Sequence, residues 1–129
     1  MAKRYMHFED LDVWRESMSL CVDIHGELRS CKDFELRDQI QKSAISIPSN
    51  IAEGYERQTD KEFIRFLYIA KSSAGELRTQ LLLATDISII GKDVGMELIE
   101  KAKMISGMLQ NLITARKKLL AAPTNNNAP

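Results

Sequence analysis

Apolar residues in this chain recur every three or four positions along four separate stretches, and nowhere do they alternate every second residue for long enough to make a strand. A helix brings residues three and four apart onto one side, so each stretch makes a helix with one apolar stripe. Short breaks between the stretches force consecutive helices to run antiparallel. The expected fold is therefore all-α, an up-down-up-down four-helix bundle occupying residues 1–122, followed by a polar tail over 123–129 that is expected to be disordered.

The boundaries follow from capping and breaking residues. Asp10 is placed to cap a first helix running from Leu11 to Cys31, with Leu11, Trp14, Met18, Cys21 and Leu28 facing inward and Lys32-Asp33 making the turn. A second helix starts near Phe34 and carries Leu36, Ile40, Ala44, Ile47 and Ile51, ending on Gly54 as its cap. Pro48 falls inside it, where the missing amide proton and the ring should kink the helix and leave the Ala44 carbonyl in want of a donor. Thr59-Asp60-Lys61-Glu62 has the form of a capping box. The third helix that it opens shows Phe63, Phe66, Leu67, Ala70, Ala74, Leu77 and Leu81, continuing toward Ile90 and closing on Gly91. Asp93 then caps a fourth, with Leu98, Ala102, Ile105, Leu109, Leu112 and Leu119 inward, which stops before Pro123.

More apolar side chains remain than one bundle uses. The third helix adds Ile64, Tyr68, Ile69, Leu82 and Leu83 outside its stripe, and the fourth adds Ile99, Met104, Met108 and Ile113. A second face of that size invites aggregation unless another subunit covers it, so the expected partner is the chain itself, in a homo-oligomer.

At 129 residues one core suffices, burying roughly two thirds of the unfolded chain's surface without disulfide or metal. The longest aliphatic run, Leu81-Leu82-Leu83-Ala84, is far below the roughly 20 residues of a membrane span. The N-terminal residues lack the apolar stretch of a secretory signal, and the expected location is cytoplasmic. Cys21 and Cys31 stand ten residues apart on one expected helix, about 15 Å, too far to pair, and read as reduced packing residues.

Eighteen basic and eighteen acidic side chains cancel, so the whole molecule exerts no long-range pull on nucleic acid or anionic membrane. The last helix alone is basic, residues 92–129 holding six cations and three anions. Arg116, Lys117 and Lys118 in its final turns offset the macrodipole, which is the preferred reading; with Lys101 and Lys103 they would otherwise serve as phosphate contacts to RNA or DNA.

No cofactor or metal is expected. The two histidines, His7 and His25, lack the Glu-x-x-His spacing of a di-metal bundle, no C-x-x-C pair occurs, and no phosphate-binding or nucleophile-elbow glycine pattern is present. Met104 and Met108, one turn apart, read as packing rather than a ligand surface, and Trp14 reads as a core anchor.

The stretches Phe8-Glu9-Asp10-Leu11-Asp12-Val13-Trp14, Ser46-Ile47-Pro48-Ser49-Asn50-Ile51-Ala52-Glu53-Gly54, Phe63–Ala70 and Ser72–Leu81 together resemble the four-helix-bundle proteins encoded in intervening sequences of 23S ribosomal RNA genes. The resemblance spans residues 8–115 and implies a ring, commonly a homopentamer, without established enzymatic activity. The accessory proteins of diversity-generating retroelements are similar in fold and are understood to bind nucleic acid and a reverse transcriptase. They are markedly basic, whereas this chain is neutral, with a sequence pI near 6.7.

Within the most specific stretch, Ser46, Asn50, Glu53 and Arg57 make one polar stripe beside Pro48. Its structural reading has Ser46 or Asn50 tending the backbone around the proline, with Glu53 and Arg57 as an i, i+4 ion pair. Its functional reading is a recognition edge at a subunit boundary or ring opening. Ser73 and Glu76 lie at a comparable position on the third helix, with Glu76 level with Asp38 and Lys42, so that Lys42 becomes its partner and Glu53 stays out of reach. A two-carboxylate acid and base pair within one subunit is therefore not expected, nor is an enzyme.

Overall fold

The computed structural model describes residues 7–122, and among these every regular element is helical. A single 3-10 turn, Phe8–Asp10, leads into α1 (Asp12–Glu27), α2 (Phe34–Tyr55), α3 (Asp60–Asp86) and α4 (Lys92–Ala121). The expected tail lies outside the described residues. Each helix packs on two others: α2 on α3, α3 on α4, and α1 on both α2 and α4. One core results, with Leu20, Ile24, Ile40, Ile47, Leu67, Leu77, Ile105 and Leu109 almost wholly removed from water. Each such side chain contributes on the order of 1.5–3 kcal/mol through burial. Among the described residues no helix is long and apolar enough to cross a membrane.

Contacts fix the register. Ser43 meets Glu76, Ser46 meets Ser73 and Gly54 meets Phe66, so positions rise along α2 as they fall along α3. Asp60 with Arg116, Lys71 with Gln110 and Thr85 with Gly95 relate α3 to α4 in the same sense.

Several boundaries depart from expectation, each for a local reason. Asp10 does not cap α1. It sits in the 3-10 turn, where the Phe8 ring packs 5.4 Å from Trp14 and the carboxylate faces Arg15, while Leu11 occupies the cap position without a side-chain bond. The inward face of α1 is Val13, Ser17, Leu20, Ile24 and Leu28, leaving Met18 exposed and Trp14 and Cys21 half-buried. Ser17 hides this stripe from a hydrophobicity reading, yet its hydroxyl is satisfied by donating to the Trp14 carbonyl at 2.9 Å. The helix also ends at Glu27, four residues early, with Leu28 folding into the core.

In α2, Asp33 caps the start by accepting from the Leu36 amide, and the helix runs through Pro48 to Tyr55. Gly54 is not its cap but a buried point of approach: a Cβ there would sit 2.6 Å from Phe66 Cβ. Thr59 does cap α3, accepting from the Glu62 amide at 3.2 Å, whereas the Glu62 carboxylate is taken by Arg65. The third helix stops at Asp86 rather than Ile90. Ser88 adopts φ 64°, and the amides of Ser88 and Ile89 return to the carbonyls of Thr85 and Ala84, a Schellman closure that turns Ile90 back into the core. Gly91, not Asp93, then takes the cap position of α4, and Asp93 lies in the first turn, where its charge still suits the macrodipole. On α4, Ile113 joins the core in place of Leu119, which is exposed. Ile64 is likewise buried, so both leave the expected outer faces.

Candidate functional site

The polar residues singled out in the sequence collect along the seam between α2 and α3. At its centre the Ser46 and Ser73 hydroxyls lie 2.8 Å apart, and the Asn50 carboxamide donates to both the Ser46 carbonyl (2.8 Å) and the Ser46 hydroxyl (2.9 Å). Asn50 thus fastens the turn that contains Pro48, although through the Ser46 carbonyl rather than that of Ala44. Toward the N-terminal end of α2, Ser43 donates to Glu76 at 3.3 Å. That replaces the expected Lys42 partner, because the side chain turned toward α3 is Ser43, one position further along the helix.

Toward the other end, Arg57 donates to Glu53 at 3.0 Å and lies 4.8 Å from the centroid of the Phe66 ring, which Arg65 approaches at 4.5 Å. Glu53 and Glu76 lie far apart: Glu76 is level with Ser43, ten residues or about 15 Å along α2 from Glu53. Ser43 completes the seam and was not anticipated, nor was the burial of Gln80 on α3. Ser43 is three residues before Ser46 and seven before Asn50, a spacing that could have revealed it. The Gln80 side-chain oxygen is buried without a partner among the described residues, and nothing in its sequence context announces that.

Chemically the seam holds donors and acceptors already used on one another. Ser46 and Ser73 have no base beside them, and the described histidines lie elsewhere: His7 is exposed before α1, and His25 contacts Gln41 at 3.3 Å. Among the described residues no group of His, Cys, Asp and Glu is arranged to hold a metal. Burial pushes the Cys21 thiol up to about 11, so it is protonated at neutral pH, the weakly reactive state. Hydrogen bonding from Arg65 holds the Glu62 carboxyl below the usual glutamate value.

The basic side chains of α4 are mostly turned onto the chain itself. Lys101 donates to Ser19 at 2.8 Å and pairs with Asp23 at 3.2 Å, and Lys103 pairs with Glu100 at 3.5 Å. Arg116 binds Asp60 at 3.0 Å over the Phe63 ring, and Lys117 donates to the Tyr68 hydroxyl at 2.6 Å. Lys118 is exposed and, among the described residues, without a side-chain partner.

Four packed helices whose polar seam is satisfied internally define an all-α bundle protein. The chain belongs to the 23S rRNA-intervening sequence protein family, whose model matches residues 9–111. A solved structure from Bacteroides thetaiotaomicron, of a protein with unknown function from the S23 ribosomal protein family, is 28% identical and superposes with a TM-score of 0.74, covering 78% of this chain and 97% of that one. No curated protein matches.

Proposed function

We propose that this protein is a non-catalytic interaction protein: an up-down-up-down bundle that works as a homo-oligomer in the cytoplasm, with a homopentameric ring as the form that the family resemblance implies. The observation that carries this reading is apolar surface outside the core. Ile69, Leu82 and Leu83 on α3 and Met104 on α4 are 37, 49, 49 and 45% exposed, at positions that a solitary soluble bundle would fill with charge. The satisfied seam supports a structural role for Ser46, Asn50 and Ser73 over a catalytic one. Free Cys21 and Cys31 suit a reducing compartment. Sedimentation equilibrium at micromolar concentration should give a multiple of 14.6 kDa, and a monomer would overturn the reading.

The alternative, a ring that binds structured RNA or DNA, draws on the basic end of α4, where repetition around a ring would multiply a weak patch. Against it, Lys101, Lys103, Arg116 and Lys117 would each have to leave a partner within the chain. A titration with structured RNA at about 50 mM salt separates the two, because phosphate contacts are strongest there. Absence of binding removes the alternative.

A further inference from the structure

We propose that Met18, Cys21 and His25 hold one Cu(I) ion in the groove between α1 and α2, a metal site that one helix face supplies and that needs no second subunit. The three residues stand at i, i+3 and i+7, within an arc of about 60° on α1 and at heights separated by about 4.5 and 6 Å. All three line a single cavity of about 330 Å³. Cys21 and His25 are one turn apart, and helical side chains lean toward the N-terminus, so the imidazole leans back toward the thiol. Met18 approaches from the other side on a flexible, unbranched chain.

The opposite wall accounts for the room. His25 sits beside Gln41, which in antiparallel register sets Cys21 level with Ile45. Next to Ile45, the buried Ala44 lines the cavity with only a methyl group. Gln41 also serves the imidazole, its carboxamide nitrogen lying 3.3 Å from His25 Nδ1. A half-turn of that carboxamide lets Nδ1–H donate to its oxygen, fixing the tautomer in which Nε2 is free to bind a metal.

The donor set selects the metal. Among the described residues no third His, Cys, Asp or Glu joins Cys21 and His25, so the pair does not complete the closed site that Zn(II) takes, and the remaining donor is a thioether. Thiolate and thioether sulfur favour Cu(I). Charge points the same way. Cu(I) displaces the thiol proton to solvent and leaves a neutral copper thiolate, which an apolar cavity tolerates, whereas a divalent ion would keep an excess positive charge there. Arg29, the cation in the lining, stands one turn beyond His25 and adds to the penalty on that excess charge.

The test titrates the full chain with Cu(I), without oxygen and in competition with the chromophoric chelator bicinchoninate, with circular dichroism as the check on folding. The native chain should withdraw one copper per chain. Cys21→Ser should weaken binding roughly a hundredfold or more, and Met18→Leu and His25→Ala, both at exposed positions, roughly tenfold or more each. These two carry the test if the cysteine variant fails to fold. Cys31→Ser should bind as the native chain does, and excess Zn(II) should leave the copper in place. No copper withdrawn from the chelator overturns the site. So does native affinity in Met18→Leu and His25→Ala, the mark of adventitious binding to a thiol. An equal loss in Cys31→Ser overturns it as well, because copper would then be shared between cysteines of different copies. Displacement by zinc overturns the assignment of the metal.

Discussion

Replacing Gly54 by alanine tests whether α2 and α3 touch where the structure places them. In a helix interior the change alone should stabilise by about 1 kcal/mol, since alanine has less backbone freedom to lose. Here the new methyl would lie 2.6 Å from Phe66 Cβ, 3.1 Å from Phe63 Cδ1 and 3.3 Å from the Phe63 carbonyl oxygen. Two of these neighbours are backbone or sit at the root of a side chain, so relief requires the helices to part, at about 2–3 kcal/mol, the upper part of the range typical of overpacking. The second effect wins, for a net loss of about 1–2 kcal/mol. Thermal unfolding should drop by roughly 3–8 °C in a domain of this size. Gly107→Ala is the control: nothing lies within 4 Å of its Cβ position on α4, and it should gain up to about 1 kcal/mol. If Gly54→Ala melts at or above the native temperature while Gly107→Ala behaves as expected, the close approach of α2 to Phe66 is wrong.

Asn50→Ala removes both bonds to Ser46 and should cost about 1–3 kcal/mol in chemical denaturation; a loss indistinguishable from zero would mean that the carboxamide does not hold the Pro48 turn. The Cys21 thiol ionises near 11 in the folded chain and near its ordinary value of 9.0 when unfolded, so burial favours the native state fully below pH 9. Between pH 9 and about 11 the unfolded chain loses its proton first and stability falls, an effect that Cys21→Ala should abolish in denaturation curves taken across that range. Alkylation of Cys21 should correspondingly remain slow at pH 8, and labelling at the rate of a free thiol would contradict its burial.

The helices were legible because large aliphatic side chains at helical spacing dominate the energetics of α2, α3 and much of α4. Where a polar or ambiguous residue entered, the sequence misled. Ser17 disguised the buried stripe of α1, and glycine could mean a stop at Gly54 or a close approach, which only the position of Phe66 decides. Ser88 took the left-handed position at the end of α3 that a reader looks for in glycine. The polar seam was half legible for a related reason: spacing can align Ser46, Asn50, Glu53 and Arg57 on one helix, but cannot say which residue of another helix stands opposite. Once Ser73 is known to face Ser46, the seam acquires a role that neither helix has alone. Sliding α3 by one turn along α2 would set Ser46 against Ala70 or Leu77, leaving hydroxyls in an apolar environment at about 1–3 kcal/mol for each unpaired group. Apolar stripes tolerate such a slide far better, since Leu, Ile and Ala repeat along both helices. The stripes therefore bring α2 and α3 together, and the buried serines select the register at which Gly54 meets Phe66.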